Sequence, residues 1–399
     1  MSRTRYEVGQ IIRDYSGEFF AGQSGKAERF TGFQTVGQVH KSFARMSLCR
    51  TRYLGGHVEV CPECGEVHVS YNSCRDRHCP KCQNKERAVW VEMRKDEVMP
   101  GVKYFHTVFT IPDSLHRIAM SHQAMFYDAM FRAAWNTLRT FYERQGLQGG
   151  MTATLHTWGS NLYYHPHIHC IVTGGGIDKD GVWHHLKGCK GAGRNFLFPV
   201  QALSVMFRAK FMAMLTSRLK ELGEVIPQDV RRQCFEKPWV VYSKPPAKGV
   251  NQVLEYIGRY AYRVAISNAR ILDYDANEGK VAYDYKDYRH GGRHKTMRMS
   301  AVDFLHLFSL HVLPPAFVRI RHYGLLSPSS RDKLRNVQEQ LGGTPVPKER
   351  HRKTYEEACL EQGWEIGICP HCKSRMIVVE TIRPARAPPL SAHVRTASV

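Results

Sequence analysis

An α+β protein is what three features of this sequence predict. Between residues 100 and 290, short runs rich in aromatic and β-branched residues interleave with segments whose apolar residues recur at helical spacing. Two CxxC pairs, Cys61 with Cys64 and Cys79 with Cys82, precede that region and mark a small separate module. At 399 residues and 43% hydrophobic content, the chain is long and apolar enough for a real core and two or three domains.

Residues 1–50 read as mainly helical and close on the basic stretch KSFARMSLCRTRYLGGH; residues 51–95 form the cysteine module. KYFHTVFTIP is then a strand candidate stopped by Pro112. From Ser114, which suits an N-cap, to Arg144, the spacing of Leu115, Ile118, Met125, Phe131, Trp135, Leu138 and Phe141 predicts one long or broken helix. TATLHTW and LYYHPHIHCIVT predict two strands joined by a turn around GSN, and GGGIDKDGVW a flexible connection. Residues 202–222 predict a helix, PWVVYS a short strand, and NQVLEYIGRYAYRVAIS starts as a helix. RILDYD and KVAYDYKDY flank the hairpin-like ANEG. SAVDFLHLFSLHVL is a helix halted by Pro314 and Pro315. The interleaved strands and helices suggest an α+β sheet domain, taken over 100–326; residues 327–399 read as a basic linker and tail carrying a CPHC half-knuckle.

Lys and Arg number 57 against 36 acidic residues, a net charge of +21, so the expected partner is a polyanion, first of all nucleic acid. The first twenty residues lack a signal-peptide pattern, and no apolar run approaches the ~18 residues of a membrane span. The expectation is a cytoplasmic protein without membrane association, in which twelve cysteines signify metal sites rather than disulfides.

The spacing Cys61-x2-Cys64, then Cys79-x2-Cys82 fourteen residues on, predicts a zinc-ribbon-like structural zinc site, since each CxxC turn presents two thiolates to one tetrahedral ion. Cys74 and His78, inside the loop, are alternatives for a ligand or members of a second site. Arg75, Arg77, Lys81, Lys85 and Arg87 would then face DNA from a rigid base. Cys369 and Cys372 lack a partner pair, with Cys359 one possible addition and an unmetallated knuckle the other reading.

In YYHPHIHCIV, His167 and His169 sit two apart on a predicted strand and therefore on one face, about 6–7 Å apart along the chain. That span suits two imidazoles on one metal ion. His156, on the preceding strand of the hairpin, is the expected third ligand, with His165 and His106 behind it. Imidazole suits zinc or manganese better than magnesium, although phosphate oxygens would complete a magnesium site. Tyr256 and Tyr260 are spaced four apart, each followed three residues later by an arginine, Arg259 and Arg263. A phenol, with a reference pKa of about 10, needs such a cation to act as a nucleophile. Plain amphipathic packing produces the same spacing.

Together HPHIHC, YIGRY followed by RVAIS, and YNSCRDRHCPKC resemble the rolling-circle insertion-sequence transposases of the HUH endonuclease superfamily, over residues 45 to 326. The resemblance implies a core with a central antiparallel sheet, His167 and His169 as paired ligands of a divalent ion (Mg or Mn), and Tyr256 and Tyr260 as nucleophiles. It implies nicking and joining of single-stranded or hairpin DNA ends through a 5′-phosphotyrosine, with a host helicase as partner, because no GxxxxGK[ST] phosphate loop occurs. A plasmid or phage replication initiator, or a relaxase, shares that chemistry; the extended cysteine module favours the transposase. A zinc-dependent nucleic-acid-binding protein without catalysis is the remaining reading.

Overall fold

The computed structural model describes residues 5–24, 33–187, 197–244, 258, 260–349 and 353–386. The N-terminal part contains α1 (Val8–Ser24), α2 (Phe33–Ser47), β1 (Gly56–Val60), β2 (Val67–Tyr71) and α3 (Gln83–Lys95). Then follow β3 (Tyr104–Thr110), α4 (His116–Ser121), α5 (Gln123–Glu143), β4 (Gly150–Trp158), β5 (Tyr164–Thr173), β6 (Gly175–Ile177) and β7 (Trp183–His185). Next come α6 (Val200–Glu221), α7 (Gln228–Glu236), β8 (Val241–Lys244), β9 (Ile271–Asp275), β10 (Lys280–Asp287), β11 (Arg293–Ser300) and α8 (Ala301–Ser309). The chain closes with β12 (Ile320–Gly324), α9 (Arg331–Gln340), α10 (Tyr355–Glu361) and β13 (Ile377–Ile382). The α+β class and the antiparallel central sheet agree with the sequence.

That sheet has the order β12-β4-β5-β3-β8, with every neighbour antiparallel. Alternation divides its residues between two faces. Phe105 and Phe109 of β3, Met151, Ala153 and Leu155 of β4, and Ile168, Cys170 and Val172 of β5 point into one core with Phe126, Met130, Phe207 and Phe211 of α5 and α6. Thr152, Thr154 and His156, with His167 and His169, occupy the other face. A second core joins α1, α2 and α8 to the sheet β11-β10-β9, so the helical N-terminal region belongs to the same body as residues 271–309. Tyr15 donates to Ala276 O at 3.0 Å and Tyr274 to Asp14 Oδ2 at 2.7 Å across that junction.

Several expectations change. Ser114 lies within a 3₁₀ turn (Asp113–Leu115) rather than capping a helix, while the broken form of the expected helix is the one found, divided into α4 and α5 at His122. The glycine-rich connection is a two-stranded hairpin, β6 with β7, whose turn is held by Asp178 Oδ1 accepting from Asp180 N and Val182 N. Within the expected linker and tail, α9 buries Leu334 and Val337, and β13 pairs with β1. Among the described residues no helix is long and apolar enough to cross a membrane.

Ile168 is fully buried between the two histidines in sequence and on the opposite face in space. Ile168→Ala should cost about 2–5 kcal/mol in urea unfolding, as for other large-to-small core changes. A cost under about 1 kcal/mol would mean that this face does not pack as described.

Candidate functional site

Register builds the site. His156 pairs directly with His167 across β4 and β5, and Thr154 pairs with His169. The ring nitrogens of His156, His167 and His169 lie within 4.8 Å of one another. His167 Nδ1 donates to its neighbour His165 O at 2.7 Å, leaving its Nε2 free to face His169 Nε2 at 3.1 Å. Two nitrogens sharing an ion at about 2.0–2.1 Å stand roughly 3 Å apart, so this pair fits a metal ion without rearrangement.

Burial keeps the cluster uncharged. It pushes His167 down to about 3 and holds His156 and His169 well below their ordinary range, with the neighbouring imidazoles and Arg263 adding to the effect. Neutral imidazole is the ligand form. His106, on β3, stacks on His169 with centroids 5.0 Å apart and its Nε2 lies 2.8 Å from His169 Nδ1. It therefore backs His169 instead of joining the three. His165 turns to another group, with Asp113 and His116.

The ring of Tyr260 lies over this patch, 4.3 Å from the His169 ring and 5.2 Å from His106. His156 Nε2 meets the Tyr260 carbonyl at 2.8 Å, which fixes the imidazole against the backbone that carries the tyrosine. Arg263 is exposed, and its charge reaches the histidines. Tyr256 and Arg259 lie outside the described residues.

The cysteines group differently from the expected single tetrad. Cys79 and Cys82 gather with Cys49 and Cys74, whereas Cys61 and Cys64 face Cys369 and Cys372. Cys61, Cys64, Cys79 and Cys82 therefore do not share one ion: the two CxxC turns sit in different cores, and the expected four-cysteine site is corrected to two. Cys74 proves to be a member of the first tetrad. His78 is not: its Nδ1 contacts Asp76 Oδ1 at 2.9 Å and its Nε2 accepts from Leu313 N. Cys359 is buried apart from both.

Three of the five cations expected to face DNA are held by the protein itself. Arg77 donates to the carbonyls of Pro314 and Phe317, Lys81 pairs with Glu7 at 2.5 Å, and Lys85 sits 4.4 Å over the Tyr355 ring.

No sequence signal singled out Arg319. It is buried, and donates to Ala261 O at 3.1 Å and Arg263 O at 3.3 Å, gripping the backbone just after Tyr260. Its other partner is Gln83 Oε1 at 3.4 Å, the residue immediately after the thiolate of Cys82. Burial pushes its guanidinium down to about 10, still charged at neutral pH. One buried cation thus links Gln83, the residue after Cys82, to the backbone that follows Tyr260.

Residues 26–111 match the family described as "Transposase zinc-binding domain", and residues 150–333 the family described as "Putative transposase". The "Putative transposase y4qJ" of Sinorhizobium fredii (strain NBRC 101917 / NGR234) is 40% identical over 98% of this chain and 98% of its own length. The "Transposase for insertion sequence element IS801" of Pseudomonas savastanoi pv. phaseolicola is 29% identical over 72% of this chain and 70% of that protein. No solved structure matches the chain.

Because the folded-state histidines bind protons more weakly than the unfolded chain does at its reference value of 6.5, their stabilisation is complete above that pH. It drains away as pH falls from there toward about 3. Metal-free protein should therefore lose urea resistance between about pH 6.5 and pH 5, and His167→Gln/His169→Gln should flatten that fall. Parallel curves for both proteins would refute it. Arg319→Met should cost about 1–3 kcal/mol for each carbonyl left unpaired, again by urea unfolding. Unchanged stability would show that solvent or a neighbour satisfies both groups.

Proposed function

Because the chain belongs to the IS91-like family of transposases with an N-terminal zinc-binding domain, we propose that it cuts and rejoins single-stranded DNA by tyrosine attack beside a histidine-held divalent ion. As a transposase it is an enzyme that acts on DNA, and it carries structural zinc. The observation that supports the finer mechanism is the Tyr260 ring, tilted over His169 with centroids 4.3 Å apart, beside an all-imidazole cluster in which His156 is buried and His167 and His169 are half-buried.

In this reading His156, His167 and His169 hold the ion, their neutrality favoured by burial and their orientation by the His165 and Tyr260 carbonyls and by His106. When bound, manganese or magnesium supplies a Lewis acid at the scissile phosphate, and the all-nitrogen set favours manganese. The phenolic oxygen of Tyr260 forms a bond to phosphorus as the bond to the 3′ oxygen breaks. The phenolic proton ends on the leaving 3′-hydroxyl, and the other strand end remains attached as a 5′-phosphotyrosine. Bond energy is conserved in that ester, so a second strand can be joined without an external energy source. Tyr256, four residues earlier in the sequence, serves as the second nucleophile, for target or for the other element end. Arg259 and Arg263 offset negative charge on the phenol and phosphate. The +21 charge draws in single-stranded or hairpin ends, a host helicase supplies the unwound strand, and the reaction takes place in the cytoplasm.

Incubation with labelled single strands of the element's ends and manganese should give a covalent adduct that maps to Tyr260 or Tyr256. His167→Ala should lower the yield by about 10²–10³-fold with little change in salt-dependent binding. The double change Tyr256→Phe/Tyr260→Phe should bind equally and form no adduct. Nicking at the same phosphate by that double variant would end the tyrosine mechanism.

A further inference from the structure

The matched zinc-binding domain spans residues 26–111 and so contains all of Cys49, Cys74, Cys79 and Cys82, but only half of the second tetrad. Cys61 and Cys64 find their partners more than three hundred residues away. Cys61 Sγ lies 3.3 Å from Cys372 Sγ and Cys64 Sγ 3.5 Å from Cys369 Sγ. Those separations are far beyond the ~2.05 Å of a disulfide and close to the roughly 3.8 Å between thiolates that share a tetrahedral ion at about 2.3 Å.

The two halves have the same local shape. In CPEC, Cys61 N donates to Glu66 O at 2.8 Å and Gly65 N to Cys61 O at 2.9 Å. In CPHC, Cys369 N donates to Ser374 O at 2.8 Å and Lys373 N to Cys369 O at 3.1 Å. The residue after the second cysteine is left-handed in both, Gly65 at φ 74° and Lys373 at φ 64°. A lysine pays for that conformation, and it persists only where surrounding constraints fix it.

Apolar burial does not supply those constraints. The sheet β13-β1-β2 around the tetrad shows Val67, Val69, Val378 and Val379 at 56, 45, 60 and 55% exposure. Among the described residues the buried cluster there is Cys61, Cys369 and Met376. A three-stranded sheet with so little core needs a staple.

We infer that Cys61, Cys64, Cys369 and Cys372 hold a second structural zinc, which clamps the C-terminal segment onto the N-terminal module as its third strand. The module is accordingly built from both ends of the chain. Its C-terminal portion is seated by Gln362 Nε2 donating to Ala88 O of α3, by the Lys85–Tyr355 contact and by β13. This reading is independent of the tyrosine mechanism. Cys64 and Cys372 are exposed, whereas three of the four thiols of the first tetrad are buried, so the second zinc is the one a chelator reaches first.

The test is cobalt substitution of the full-length protein, reading thiolate-to-cobalt absorption per chain alongside total metal. Wild type should carry two tetrathiolate ions. Cys369→Ser/Cys372→Ser should lose half of the thiolate absorption, and Cys61→Ser/Cys64→Ser the same half, with no further loss when all four are changed. The surviving half reports that the first tetrad still folds, and Cys49→Ser/Cys79→Ser should remove that half instead. One tetrathiolate ion in the wild type would overturn the inference. So would absorption unchanged by Cys369→Ser/Cys372→Ser, or losses from the two pairs that add. Chelator release from wild type should be biphasic, and the fast phase should be missing from Cys369→Ser/Cys372→Ser; a fast phase that persists there counts against the inference.

Discussion

Everything at the histidine site depends on the register between β4 and β5. In a sheet, a shift of one residue would send His156, His167 and His169 to the opposite face and Ile168 and Leu155 to this one. The apolar face prevents such a shift, because Met151, Ala153, Leu155, Ile168, Cys170 and Val172 interlock with α5 and α6. The cost of misplacing that whole row is carried by the helical layer. The imidazoles, which are poorly solvated and held uncharged, are thus positioned by a core they do not belong to.

The placement of Tyr260 has a different origin. It rests on His156 meeting its carbonyl and on Arg319 meeting the two carbonyls that follow, with Gln83 completing the guanidinium's partners. Arg77 and His78 hold the loop at 313–317 that leads into β12, so the first cysteine tetrad braces the tyrosine from two directions. Among the described residues, the hydrogen-bond partners of this buried arginine are two backbone carbonyls and one side-chain amide oxygen, none of them a carboxylate. Its charge is therefore distributed over the segment that follows Tyr260, and the cysteine module is scaffold for that segment through Gln83, Arg77 and His78.

Strong local periodicity made much of this readable from sequence. The alternation in YYHPHIHCIV put His167 and His169 on one face, and the short GSN turn put His156 within reach. The hairpin around ANEG was equally plain, and so was helix α8, although it ends at Ser309, short of Pro314. What stayed hidden had weak or misleading local signals. β11, RHKTMRMS, is an exposed charged edge strand, and α9, RDKLRNVQEQ, buries little besides Leu334 and Val337. Arg319 looked like one more surface cation in a basic chain. The cysteine grouping misled because spacing implies that neighbours in sequence share an ion, whereas Cys79 and Cys82 turn back to Cys49 and Cys74 and leave the CPEC turn facing the far end.

The pairing of β1 with β13 also imposes an order of events during synthesis. The body that holds the histidines can form while the ribosome is still working, but β1 must wait, with its edge and two thiols open, until some three hundred further residues have been made. A chain that stops before Cys369 lacks that thiol, Cys372 and β13, and leaves the CPEC turn and one edge of β1 without their partners.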